Sequence, residues 1–76
     1  MPRKIRQLKA DLRRAGAYRA RQEGSHERWK HPLLPPSEGI TLAGKDGSDA
    51  LPYQEKEVRE FLRRIEELRR THSNDQ

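Results

Sequence analysis

Apolar residues recur at helical spacing near the start of the chain. Ile5, Leu8, Leu12 and Ala15 lie three or four residues apart, which predicts an amphipathic helix over residues 3–15. The basic residues between them form the polar side of that helix. The next residue is a glycine, which suits a helix end because glycine adopts left-handed backbone at little cost.

A second apolar stripe predicts a longer helix over residues 52–70. Pro52 suits its first turn, where the missing N–H costs little. Tyr53 is interpreted as a packing residue there, the alternative being a contributor to the rim of a functional site. The tail 71–76 has no apolar anchor and is expected to fray. The stripe consists of Val58, Phe61, Leu62, Ile65 and Leu68.

Alternating apolar and polar positions predict three short strands between the helices, over residues 17–22, 25–31 and 40–43. Glu23 and Gly24 are expected to form the tight turn between the first two strands, because glycine supplies positive φ. The element order is therefore α-β-β-β-α. This order is typical of an α+β fold in which two helices cover one face of a three-stranded antiparallel sheet.

The side chains of the second predicted strand should alternate between the two faces of the sheet. One face would carry His26, Arg28 and Lys30. The other would carry Glu27, Trp29 and His31. Trp29 is the only tryptophan and is interpreted as the core anchor beneath the helices, so the face of His26 should point away from them.

The same alternation applies to the first predicted strand. It places Tyr18 and Ala20 on one side of the sheet, and Arg19 and Arg21 on the other. A bulge near Gly24 would break the alternation of the second strand, which places His26 and Trp29 on opposite faces.

Composition limits the chain to one small domain, 1–76. Only 30% of its residues are hydrophobic, so the core is thin and leaves no room for a deep substrate cavity with a cofactor. The absence of cysteine excludes disulfides and thiolate metal sites. No apolar run is long enough for a signal peptide or a membrane span, so a cytoplasmic protein is expected.

Positive charge is concentrated in the first part of the chain. Residues 1–31 contain ten Lys/Arg and three Asp/Glu, whereas residues 32–76 contain seven and nine. A net charge of +5 and a pI of about 10.1 favour a polyanionic partner, nucleic acid before an anionic membrane surface. Part of this charge also serves simply as a solvated helix face.

One histidine is chemically suited to act on a phosphodiester. His26 follows Gly24 and Ser25 at the start of the second strand, and imidazole both takes and gives protons near its ordinary pKa of about 6.5. The basic side chains that would meet the phosphate are Arg21, Arg28 and Lys30. The alternative is a surface histidine in an ordinary hairpin. No metal site is expected, because His26 and His31 lie on opposite faces and no acidic cluster joins them.

Several short pieces of the chain, in their order and spacing, resemble the HicA family of toxins, small ribonucleases of bacterial toxin–antitoxin pairs. Ala17 and Tyr18 depart from the family pattern, in which a bulky apolar residue directly follows the glycine. The pieces that carry the resemblance are Met-Pro-Arg-Lys-Ile-Arg at the start, Ala15-Gly16, Gly24-Ser25-His26, His31-Pro32, Ile40 to Lys45, Asp49-Ala50 and Pro52-Tyr53-Gln54.

The resemblance implies a fold similar to a double-stranded-RNA-binding domain. It also implies that His26, supported by Gly24 and Ser25, is the catalytic residue of a metal-independent endonuclease that cleaves mRNA without a cofactor. A HicB-family antitoxin would cover that histidine in a hetero-oligomer. Two alternatives stay open: a non-catalytic double-stranded-RNA-binding module, and an interaction protein that uses its last helix as a partner surface.

Overall fold

Two helices and three strands form the structure, a computed structural model that describes the backbone of residues 2–74 and the side chains of residues 2–71. The sheet is antiparallel with strand order β1-β2-β3, which confirms the predicted α+β fold. The elements are α1 (Ile5–Arg14), β1 (Tyr18–Glu23), β2 (His26–Lys30), β3 (Ile40–Ala43) and α2 (Pro52–Asn74).

The core lies between the sheet and the two helices. Trp29 of β2 is 1% exposed and packs in one cluster with apolar residues of both helices and β3, as its interpretation as the core anchor predicted. We call this helix-covered side the inner face of the sheet and the opposite side the outer face. The other most deeply buried side chains are Ile5, Leu8, Leu12, Leu42, Val58 and Ile65.

Helix α2 is longer than its apolar stripe predicted. It continues to Asn74, so the predicted end at residue 70 is wrong, and the Thr71 hydroxyl donates to the Glu67 carbonyl at 3.1 Å. A helix that has already formed gains one hydrogen bond for each residue it adds, so its extension needs no apolar anchor. Residues 75 and 76 of the predicted tail lie outside the described residues.

A β-bulge in β1 changes which side chains share a face. Arg19 pairs with Trp29, but the next pair joins Arg21 to Arg28, so Ala20 is an extra residue on β1. The predicted grouping of Arg19 with Arg21 is therefore wrong, because the extra residue reverses the alternation. Arg19 lies on the inner face, and Arg21 joins Arg28 on the outer face.

The turn between β1 and β2 consists of Gly24 and Ser25, one residue later than predicted. Glu23 pairs directly with His26 across it, and Gly24 has a φ of 58°. Positive φ at only the first central position fits a type II′ turn, which favours glycine there. This turn makes His26 the first residue of β2.

Candidate active site

His26 lies on the outer face of the sheet, at the end of β2 next to the hairpin turn. Its direct cross-strand partners are Glu23 on β1 and Ala43 on β3. The His26 side chain is exposed, whereas the alternate residues Glu27 and Trp29 are buried. The predicted alternation along β2 is confirmed, and both helices lie on the far side of the sheet from the imidazole.

Three basic side chains line the same outer-face groove as His26. The groove is open and shallow, about 580 Å³ in volume, with the sheet as its floor. The bulge brings Arg21 to this side, next to its partner Arg28, and Lys30 follows two residues along β2. The structure therefore brings together all the side chains that the sequence singled out for phosphate contact. The cations are Arg21, Arg28 and Lys30, and the remaining lining includes Glu23, Pro36, Ser37 and Thr41.

The Arg28 guanidinium is held in place by the neighbouring strand and loop. Its Nη1 donates to the Thr41 hydroxyl at 3.3 Å, and its Nη2 donates to the Ser37 carbonyl at 3.5 Å. Gly39 leaves the space for this arrangement, because a Cβ there would lie 3.4 Å from Arg28 Cζ and only 2.5 Å from the Trp29 carbonyl oxygen. Arg28 therefore presents its remaining N–H groups to the groove in a restricted orientation.

Arg21 has a weaker partner than Arg28. Its Nε lies 3.4 Å from Glu23 Oε1, and the two side chains are 76% and 75% exposed. Exposed ion pairs of this kind contribute about 0–1 kcal/mol, so a phosphate can displace the carboxylate at small cost. Arg21 therefore has one exposed partner beside His26, whereas Arg28 is bonded through two of its guanidinium nitrogens.

Hydrogen bonds of the buried Gln54 side chain fix the backbone opposite His26 from the helix side. The side-chain amide of Gln54 donates from Nε2 to the Ala43 carbonyl at 2.8 Å, and its Oε1 accepts from the Leu51 N–H at 2.8 Å. Gly44 N–H donates to the Ser25 carbonyl at 3.1 Å. Gln54 therefore ties the start of α2 to the residue directly opposite His26. Sequence reasoning gave Gln54 no role beyond its place in the family resemblance.

An ionic network built around the buried pair Lys9–Glu27 lies on the inner face, opposite the groove. The Lys9 ammonium donates to Glu27 Oε2 at 2.8 Å and to Asp46 Oδ1 at 2.5 Å, while Trp29 Nε1 donates to Glu27 Oε1 at 3.2 Å. Arg19 adds a contact of 3.5 Å to the same carboxylate. The buried Glu27 side chain therefore has two cations and an indole N–H around it, and both of its oxygens have a partner.

The network shifts the pKa values of two of its members. Burial acts to lower the pKa of Lys9, but its hydrogen bonds to Asp46 and Glu27 outweigh burial and raise the pKa. The hydrogen bond from Lys9 lowers the pKa of Asp46, with the Lys9 charge acting in the same direction. Sequence reasoning assigned Lys9 to the polar side of α1, although its spacing from Ile5, Leu8 and Leu12 continues the apolar stripe.

His31 does not join His26. It is 5% exposed, its Nδ1 accepts from the Leu33 N–H at 3.1 Å, and its Nε2 lies 2.9 Å from the Ala15 carbonyl. Because Nδ1 accepts, Nε2 carries the proton and donates, so the ring is neutral with both nitrogens bonded. Among the side chains of residues 2–71, no group of three or more His, Cys, Asp or Glu residues is arranged to hold a metal ion.

Tyr53 is not the packing residue that the sequence indicated. Its side chain is 56% exposed at the start of α2, because the buried position in that turn is taken by Gln54.

Neither α1 nor the described part of α2 contains a stretch both long and apolar enough to cross a membrane.

Comparison with known protein families matches residues 5–67 to the HicA toxin family of bacterial toxin–antitoxin systems. Comparisons with curated proteins and with solved structures gave no match. The matched range includes α1, the whole sheet and the first four turns of α2. It also contains His26 and the basic residues of the outer-face groove. With most of its length matched in one continuous stretch, the chain belongs to the HicA toxin family.

Proposed function

We propose that this chain is a metal-independent endoribonuclease that cleaves mRNA, with His26 as its catalytic residue. The observation that carries the proposal is the composition of the outer-face groove. An exposed imidazole lies there beside three cations, on a sheet face that neither helix covers. Membership of a toxin family supplies the biological setting for such an activity.

RNA carries its own nucleophile, the ribose 2′-hydroxyl. Cleavage requires removal of the hydroxyl proton, protonation of the leaving 5′-oxygen and stabilisation of the extra negative charge on the non-bridging oxygens of the phosphorane. His26 would carry out one of these proton transfers, as general base or as general acid. A single positioned acid–base group contributes about 10²–10⁴-fold, so the enzyme would be slow.

The three cations of the groove would hold the phosphate and stabilise its charge in the transition state. Arg28 is suited to the fixed contact, because Thr41 and the Ser37 carbonyl already orient its guanidinium. Preorganised donors stabilise developing charge better than mobile ones, since they need not reorient during the reaction. Arg21 and Lys30 would add attraction that weakens with salt.

The partner in the toxin–antitoxin system would be a HicB-family antitoxin that covers the outer-face groove and so forms a hetero-oligomer. Acidic side chains on the antitoxin would complement Arg21, Arg28 and Lys30, since charge complementarity suits an interface of this kind. The complex would be inactive because His26 is no longer accessible to RNA.

The test is cleavage of purified mRNA by the wild-type protein and by His26→Ala, both in the presence of a chelator. We expect wild-type cleavage to persist with the chelator, and the variant to lose at least about 10²-fold in rate. Because the His26 side chain is exposed, the variant should keep its circular dichroism spectrum and its unfolding midpoint.

The same experiment separates the competing functions. Undiminished cleavage by His26→Ala would remove His26 from the mechanism. Cleavage that stops with the chelator and returns with Mg²⁺ would contradict metal independence. RNA binding without cleavage by the wild-type protein would favour the non-catalytic RNA-binding module.

A further inference from the structure

Tyr18 is an exposed aromatic side chain at the end of the outer face away from the hairpin turn. It pairs directly with Lys30, and paired residues on antiparallel strands point to the same side of a sheet. Lys30 lies on the outer face with Arg28 and His26, so Tyr18 does as well. Its side chain is 48% exposed, which leaves much of the ring open to solvent on the side that carries the cations.

The position of Tyr18 relative to His26 suits a short stretch of RNA. His26 and Lys30 are four residues apart on one strand, about 13 Å at strand spacing. Arg28 and Arg21 lie between them and form a cross-strand pair. A strand of RNA whose scissile phosphate is at His26 would therefore cross two arginines before its bases reach Tyr18.

We propose that Tyr18 is a stacking platform for an unpaired base, and that the outer face consequently takes single-stranded RNA. This inference rests on the proposed function, because it assumes that RNA lies in the outer-face groove. Aromatic side chains among basic residues on an open sheet are the usual means of binding single strands, since every base offers a π-face.

An unpaired segment is the substrate class that this chemistry selects. In duplex RNA the bases are stacked on one another, and the protein meets mainly phosphates and 2′-hydroxyls. A tyrosine ring gains a stacking partner only where a base has left the helix or was never paired. The cations of the groove attract both forms through their phosphates, so the tyrosine supplies the preference between them.

The test measures binding rather than cleavage, in a His26→Ala background that leaves the RNA intact. The variants are Tyr18→Ala, Tyr18→Phe and, as a matched control, Tyr53→Ala, which removes a similarly exposed tyrosine from the start of α2. The ligands are a short single-stranded oligoribonucleotide and the same sequence annealed to its complement. A fluorescent base analogue, moved along the single strand, reports stacking by quenching.

We expect Tyr18→Ala to weaken single-strand binding by about tenfold, within the range for one stacked base. It should also abolish quenching at one position of the analogue. Tyr18→Phe should retain both, because the ring remains, and Tyr53→Ala should change neither. Duplex binding should be equal in all variants, which also shows that Tyr18→Ala is folded.

Two results would overturn the platform. One is single-strand binding by Tyr18→Ala equal to that of Tyr53→Ala. The other is an equal loss on single strand and duplex, since that loss would come from the sheet and not from stacking. If the wild-type protein cleaved no RNA but binding still depended on Tyr18, the stacking role of Tyr18 would be supported and the nuclease function contradicted. The two proposals can therefore fail separately.

Discussion

The two faces of β2 place ionisable side chains in opposite environments. On the inner face, Glu27 of β2 and His31, the residue that follows β2, are buried, and every polar atom of their side chains has a partner within the protein. On the outer face, His26 is exposed at one end of an open groove lined by cations. Alternate residues of one short strand thus divide into a structural set and a set that can meet a ligand.

The two histidines make this difference specific. Both nitrogens of His31 are committed to backbone groups, so the ring has no site left for proton exchange with a substrate. The His26 ring is exposed in the outer-face groove, where it can contact a ligand. Residue type therefore does not decide which histidine is a candidate for catalysis, whereas the parity of the strand does.

The largest expected loss of stability on the inner face comes from removing the Lys9 ammonium. Lys9→Met leaves the Glu27 carboxylate buried without its closest cation, which typically costs about 3–5 kcal/mol of unfolding free energy. Urea unfolding monitored by Trp29 fluorescence measures the effect. The control is Lys4→Met, which breaks an exposed ion pair with Asp49 and should cost about 0–1 kcal/mol.

Equal losses for Lys9→Met and Lys4→Met would contradict a structural role for the buried network. A loss of cleavage by Lys9→Met at temperatures where it is fully folded would show that the two faces are coupled. We expect the folded fraction to account for any change in its activity.

Replacing either histidine by phenylalanine should have a smaller effect on the unfolding free energy than removing Lys9. His31→Phe keeps a ring of similar size but leaves the Leu33 N–H without its acceptor, at a cost of about 1–3 kcal/mol. His26→Phe should change stability by less than about 0.5 kcal/mol, because its site is exposed. Thermal unfolding of both variants provides the measurement.

When RNA cleavage is measured instead of stability, His26→Phe should be the more impaired of the two variants. His31→Phe should cleave at the wild-type rate per folded molecule, while His26→Phe should be inactive. A His31→Phe protein that is folded but inactive would contradict the division between the two faces of β2.

The smallest predicted effect is on the pH dependence of the unfolding free energy, through Asp46. Lys9 lowers the pKa of Asp46 below its ordinary value of 3.8, so the folded state favours the charged carboxylate. The resulting stabilisation is fully present above pH 3.8 and is lost as the pH falls through the lowered pKa. Asp46→Asn should therefore flatten the decline of the unfolding free energy on the acid side of pH 3.8. If the unfolding free energy of Asp46→Asn declined below pH 3.8 as steeply as that of the wild type, the ion pair between Lys9 and Asp46 would be contradicted.

The raised pKa of Lys9 acts at the other end of the pH scale. Its stabilisation is fully present below the ordinary value of 10.5 and is lost as the pH rises through the raised pKa. The network is therefore intact at neutral pH, where RNA cleavage would be measured.

The pattern of β2 was the part of the site most predictable from sequence. Trp29 fixed which alternate residues face the core, and this fixed the outer position of His26. The bulge at Ala20 was not predicted at its position, because an alanine in a strand gives no local signal for an extra residue. Arg21 was expected near the phosphate, but its shared face with His26 came from the bulge and not from simple alternation.

The buried charges were also missed, for a different reason. Lys9 and Glu27 look like solvated residues by type, and only pairing across 18 positions of sequence makes their burial acceptable. The position of Lys9 in the stripe of α1 was a usable signal that residue type obscured. Tyr53 shows the converse error, since its aromatic ring suggested packing while Gln54 took the buried place.

The bulge at Ala20 has a consequence for how relatives of this chain are compared. A relative that lacks the residue corresponding to Ala20 would still carry the arginine corresponding to Arg21 opposite Arg28 on the outer face, because the pairs Arg19–Trp29 and Arg21–Arg28 would then be consecutive. That arginine would move to the helix-covered side only in a relative whose strand keeps its length but loses the bulge, since the pairing would then shift by one residue. An alignment without a gap there can therefore conceal a change in the charge around His26.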